Sequence, residues 1–132
     1  MRINSFSFRV RYAETDQMGI VHHASYVPYL EMGRIEWLRA MGISYRAMEE
    51  NGIILPVISL QINYKKSALY DDMLTVETRL KQLPMVRIEF EYAIYNEKRE
   101  LLAEASTVLA FMDQSKNRPI KCPDFIMEKL KA

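Results

Sequence analysis

The chain holds two histidines, and they are neighbours. His22 and His23 come late in a stretch that begins Tyr12-Ala13-Glu14-Thr15-Asp16. It continues through Gly19 and Val21, then runs on through Ala24 and Ser25 to Tyr26. An aspartate, an imidazole and a glycine this close together can serve attack on an ester or thioester. An ionised carboxylate draws a proton from water or attacks a carbonyl itself. Backbone N–H groups polarise the carbonyl oxygen as it gains charge. A glycine turns the chain tightly and lets a substrate approach the backbone.

These parts come together if a helix starts just after the stretch. The first amides of a helix have no partner within it and carry partial positive charge. Asp16 is therefore expected beside such amides, held ionised by them. Extended neighbours point their side chains apart, so one of the two histidines is expected to face the site. Plainer roles compete at each position. Asp16 suits a turn, either histidine suits surface or core, and Tyr12 and Trp37 suit core. Glu31 and Arg34 suit an ordinary helical ion pair, and Lys65-Lys66 suits a solvated strand end. The spacing lacks the two-histidine helix pattern of zinc hydrolases, and no metal site is expected.

The elements that must position this stretch follow from periodicity. Phe6, Phe8, Val10 and Tyr12 alternate with polar residues, which predicts a half-buried strand from Ser5 to Tyr12. From Ser25, a plausible N-cap, the period becomes helical. Tyr26, Leu30, Gly33, Trp37 and Met41 form one stripe, widened by Val27 and Leu38. Pro28 falls in the first turn and Gly42 closes the helix. Gly33 on the buried stripe predicts close approach of something flat, such as a sheet, because a mid-helix glycine otherwise costs about 1 kcal/mol. A short helix fits Ser44 to Asn51.

Three further strands alternate around Ile58–Lys65, Leu74–Lys81 and Val86–Ile94, and a fourth spans Leu101–Met112. The last is apolar on both faces and is expected at the sheet centre. The breaks at Tyr70-Asp71-Asp72, Gln82-Leu83-Pro84 and Asn96-Glu97-Lys98 read as turns between antiparallel neighbours. A C-terminal helix is expected from Pro123 to about Lys131. The prediction is one α+β domain over residues 1–132, a long helix against a five-stranded antiparallel sheet in the order βαββββ. A single helix covers only one sheet face, so the other must be polar or meet a partner.

Composition narrows the function. With 18 basic and 17 acidic residues the chain is nearly neutral, which argues against nucleic acid and anionic membranes as partners. No apolar run approaches the roughly 20 residues of a membrane span. No signal peptide is legible, and a cytoplasmic protein is expected. Cys122 is the one cysteine and reads as structural. The four glycines form neither a dinucleotide fingerprint nor a phosphate loop, and no nucleophile elbow is present.

The stretch Tyr12 to Tyr26, followed by Glu31, Arg34 and Trp37, resembles the active-site signature of hotdog-fold acyl-CoA thioesterases. It is similar to the 4-hydroxybenzoyl-CoA thioesterase group and its YbgC-like branch, over essentially the whole chain. The Tyr70-Asp71-Asp72 turn also resembles that branch. The resemblance implies thioester hydrolysis with Asp16 as base or nucleophile, accompanied by His23 and Tyr12. It implies a pocket shaped by Gly19 and Val21, with amides near His23 and Ala24 polarising the thioester carbonyl. Tyr26, with Tyr29, Met18 and Met32, is a candidate to line the acyl tunnel. Lys65 and Lys66 are candidates for the nucleotide phosphates. His22, where the family tolerates an aromatic, is assigned no role. Ser67 stands where the branch often has proline, so contacts to the coenzyme carry over less directly than the chemistry. Coenzyme A, or an acyl carrier protein, is implied as the thioester carrier and no resident cofactor is expected. A homodimer or homotetramer with acyl sites at the subunit interface is implied. The alternatives are a hotdog module that binds acyl-CoA or acyl carrier protein without turnover, a related dehydratase, and a purely structural protein. Pairing of acid and imidazole favours hydrolysis over the first. Product analysis separates the second.

Overall fold

The computed structural model describes residues 2–131. Its strands are β1 (Ile3–Arg9), β2 (Ile53–Ile54), β3 (Val57–Tyr64), β4 (Met73–Leu80), β5 (Arg87–Tyr95), β6 (Leu101–Ala110), β7 (Met112–Asp113) and β8 (Arg118–Pro119). Its helices are α1 (Tyr26–Ala40), α2 (Tyr45–Glu50) and α3 (Asp124–Lys131). The main antiparallel sheet has the order β1-β4-β5-β6-β3, and β2, β7 and β8 form a small second sheet. Helix α1 packs across β1 and β4 and more lightly on β5. This is the expected α+β layering, with a long helix against five antiparallel strands.

The alternation seen in sequence sets the core. Leu74, Val76, Thr78 and Leu80 of β4 are buried, as are Ile88, Phe90, Tyr92 and Ile94 of β5. Each turns the same face to α1, because strand side chains alternate. Trp37 is buried, meets Phe90 edge-on at 5.6 Å and donates its indole N–H to the Arg2 carbonyl. Gly33 shows why the stripe needs it. A Cβ there would lie 2.7 Å from the Thr78 hydroxyl oxygen and 2.8 Å from Val76 Cγ1. The sheet approaches as the buried glycine predicts.

Several expectations need correction. The first strand runs Ile3–Arg9 and stops before Tyr12. Arg11 and Glu14 close a capping box that bends Tyr12–Glu14 into a 3₁₀ turn, and Tyr12 ends up 77% exposed rather than in the core. The segment around Tyr70–Asp72 is not a hairpin between neighbours. β3 pairs with β6 and β4 with β1, so residues 65–72 carry the chain from one sheet edge to the other. β6 is interior but β5 is central. Between Asp113 and the C-terminal helix, where the periodicity shows no strand, the chain turns back to form β8. Val27 is exposed, and Tyr29 and Arg34 are buried in its place. Helix α2 matches its expected span, with Ser44 Oγ accepting from the Ala47 amide. Cys122 is buried, its thiol raised to about 11 by burial and by Asp124, as befits a structural residue.

Candidate active site

Asp16 stands at the tip of a tight hairpin. Its amide donates to the Ile20 carbonyl at 2.8 Å, and the Gly19 amide donates to the Asp16 carbonyl at 3.1 Å. Gly19 takes φ +75°, open to glycine at little cost. Asp16 Oδ1 accepts from the amides of Met18 (2.8 Å) and Ile20 (3.2 Å). The carboxylate is thus held by amides of its own turn, and the expectation of contact with the helix amides is corrected. One oxygen orients the group. Oδ2 accepts no protein hydrogen bond among the described residues, and Asp16 is exposed. The turn role and a reactive role are compatible in this geometry.

The hairpin's returning arm is pinned to the crossover segment. Val21 donates to the Ala68 carbonyl, and Tyr70 donates to the Gly19 carbonyl, both at 2.9 Å. The Tyr12 ring meets Tyr70 edge-on at 5.6 Å, outside the core. Beyond Val21 the chain makes a one-turn 3₁₀ helix, His23–Ser25, that leads into α1. His22 is extended and His23 helical, so the rings stack at 4.3 Å instead of pointing apart. His22 Nδ1 accepts from the Ala24 amide at 3.1 Å, which requires the proton on Nε2. The Ala24 amide is therefore occupied. The His23 amide donates to no group among the described residues. It is the free donor at this helix entrance.

Ser25 holds the N-cap position, but its hydroxyl donates to the Glu14 carbonyl at 3.1 Å. Glu14 is the junction that sequence reading missed. Its Oε1 accepts from the Arg11 amide and from the Tyr29 hydroxyl, each at 2.8 Å, and its Oε2 from Arg11 Nε at 2.9 Å. Its carbonyl also takes the His22 amide at 2.8 Å. Burial pushes this carboxyl up, but the bonds from Arg11 and Tyr29 outweigh burial and leave it below its usual value. Burial and the Glu14 carboxylate push the Tyr29 phenol far up. The signal in the sequence was the Arg11/Glu14 spacing ahead of a buried tyrosine.

A cleft of about 250 Å³ joins Ile20, Val21, His23, Tyr26, Tyr64, Lys65, Lys66 and Ser67. Val21, His23, Tyr26, Lys65 and Lys66, flagged separately from sequence, thus share one cavity. Tyr26 meets Tyr64 edge-on at 5.1 Å. Lys66 pairs with Glu100, whereas Lys65 has no ion pair within reach among the described residues. Asp16, Gly19 and Ala24 border the segment but do not line the cleft, and Tyr12 lies outside it. Met18 is exposed at the hairpin tip and Tyr29 is sealed in the core. Among the described residues no cluster of acids, histidines and cysteine is arranged to hold a metal.

A free amide at a helix entrance, a carboxylate on an adjoining hairpin and a cleft with basic residues are parts that an acyl-transfer site uses, here on an α+β scaffold. The chain matches the thioesterase-like superfamily over residues 10–130 and belongs to that family. It is 36% identical to a Bacillus subtilis (strain 168) protein provisionally named acyl-CoA thioesterase YneP, over 92% of this chain and 88% of that one. It is 34% identical to acyl-CoA thioesterase YbgC of Haemophilus influenzae, over 91% and 90% of the two chains. The structure superposes on DHNA-CoA thioesterase from Staphylococcus aureus with a TM-score of 0.92 and 35% identity, covering 99% of this chain and 92% of the other. The expected hotdog thioesterase fold is thereby established.

Proposed function

We propose that this chain hydrolyses acyl-CoA thioesters to a free acid and coenzyme A. The observation that carries the reading is the unoccupied His23 amide, which opens the 3₁₀ turn leading into α1, beside a cleft that also holds Tyr26, Lys65 and Lys66. A thioester carbonyl laid across the helix entrance accepts a hydrogen bond from that amide, which stabilises the negative charge of addition. Asp16 Oδ2 takes a proton from water, which adds to the acyl carbon. Alternatively it attacks that carbon to give an anhydride that water opens. In either route the carbon–sulfur bond breaks and the thiolate leaves, to be protonated as coenzyme A. Lys65, uncommitted to a carboxylate, meets the nucleotide phosphates more readily than Lys66, which is paired with Glu100. His23 supplies an imidazole at the cleft wall, and Tyr12 with Tyr70 shapes the outer rim.

The chain works as a single hotdog domain in a cytoplasmic homodimer or homotetramer in this reading. No helix among the described residues is long and apolar enough to cross a membrane. The dimer reading rests on β3, an edge strand whose inner face leaves Leu60 and Tyr64 38% and 51% exposed. A carrier-protein thioester fits the same chemistry. The exposure of Asp16 in the lone chain favours a second reading, an acyl-binding module without turnover. Thiol release from a panel of acyl-CoAs, with identification of the organic product, tests the reading. Free acid and stoichiometric thiol are expected. Binding without thiol release would establish the second reading, and an enoyl product a dehydratase.

A further inference from the structure

We infer that two copies of this chain are held by a reciprocal ion pair, Arg34 of one protomer to the partner's Glu31 and the reverse. This rests on the homodimer proposed above and specifies the charges that set its register.

Arg34 is only 9% exposed, and the other buried polar residues, Thr78 and Thr107, are uncharged. Eight ion pairs occur among the described residues, and none includes Arg34 or Glu31. The two stand three residues apart on one helix, a spacing that permits pairing, yet they do not pair. Arg34 is held by the Tyr92 hydroxyl and lies near the Tyr45 phenol, which Glu31 of the same chain also approaches without pairing to Arg34. The Tyr92 hydroxyl is itself bonded to the Thr107 hydroxyl at 2.6 Å. A guanidinium removed from water with no carboxylate is strongly disfavoured, so a carboxylate from outside the chain is the natural complement.

The direction is fixed by the helix. Gly33 touches β4, and Tyr29 on one flank meets Phe8 of β1 at 4.5 Å. About 100° of rotation per residue puts Arg34, Val27 and, further out, Glu31 on the opposite flank. That flank faces the sheet's open side, where Tyr26 reaches Tyr64 of β3. Val27 is 43% exposed, as Leu60 and Tyr64 are exposed on β3. The surface therefore combines apolar area, a buried cation and an exposed acid one helical turn apart. A two-fold axis passing beside that turn sets each Glu31 against the other protomer's Arg34, a self-complementary arrangement. Such a pair, shielded from water by the apolar rim, selects register and partner.

The test uses sedimentation equilibrium on the full chain and on charge-reversed variants. The wild type is expected to be dimeric. Glu31→Arg and Arg34→Glu, each alone, are expected to weaken dimerisation at least tenfold. An equimolar mixture of the two is expected to assemble as heterodimers of near wild-type affinity, because each acid then meets a cation. A monomeric wild type overturns the homodimer reading itself. A dimeric wild type whose variants dimerise normally, or whose mixture yields no excess of heterodimer, overturns the Arg34–Glu31 pairing and leaves the dimer standing. If Arg34→Glu fails to fold by circular dichroism, Arg34→Gln, Glu31→Gln and their double variant carry the test. Coupling of fivefold or more in the dimer dissociation constant is expected, and simple additivity overturns the pairing.

Discussion

The two edge strands of the main sheet read alike in sequence and end differently in space. β1 and β3 both alternate polar and apolar residues, and each pairs with a single neighbour. The inner face of β1 is roofed by α1, where Phe8 packs on Tyr29. The inner face of β3 has no such roof, and Leu60 and Tyr64 stay exposed beside the cleft. One long helix cannot cover five strands. The edge it covers serves stability, and the edge it leaves open adjoins the candidate active site.

That contrast can be broken by substitution. Leu60→Lys on β3 is expected to abolish assembly, weakening it by about 3 kcal/mol or more through a charge placed in an apolar contact. Unfolding of the separated chain should barely change. Phe8→Ala on β1 is expected to do the reverse, lowering unfolding free energy by about 2–3 kcal/mol and leaving the oligomer's dissociation constant alone. Sedimentation and urea titration read the two effects separately. Equal effects on both readouts at either position would erase the distinction.

Under the covered half, Gly33→Ala is a finer probe. The added Cβ meets Val76 and Thr78 below 3.0 Å. Overpacking outweighs the helix-propensity gain, for a net loss of about 1–2 kcal/mol in urea titration. A variant as stable as the parent would show that the sheet yields at this point.

The smallest effect concerns Glu14, on the covered side but tied to the candidate active-site loop. Its carboxyl is held below its ordinary value of 4.5. Its stabilisation is therefore complete above that pH and is lost as pH falls through the lower folded value. Glu14→Gln is expected to cost about 1 kcal/mol near neutrality and to flatten the acid limb of the stability profile. Parallel acid limbs for variant and parent would deny Glu14 this part.

Legibility followed the range of each signal. Gly33 announced the close sheet because a buried mid-helix glycine has few other uses. Val21, His23 and Tyr26 of the cleft were legible because they share one continuous segment, whereas Ile20 and Tyr64 read only as loop and strand and were not picked out. The crossing from β3 to β4 was not, because a local turn pattern at Tyr70–Asp72 says nothing about which strands pair. Tyr12 left the core because Arg11 and Glu14 capped a turn the alternation did not show. The histidine stacking depended on one backbone angle at the 3₁₀ entrance. Arg34's burial arises from its flank of the helix, and charge alone had suggested a surface pair.

The claim on which the rest depends is that Asp16 carries the acyl-transfer step. Asp16→Asn keeps an oxygen to accept from Met18 and Ile20, so the hairpin survives the change. Turnover of the preferred acyl-CoA, followed as thiol release, is expected to fall roughly a thousandfold with acyl-CoA still bound and the fold unchanged. Turnover within about threefold of the parent would contradict it.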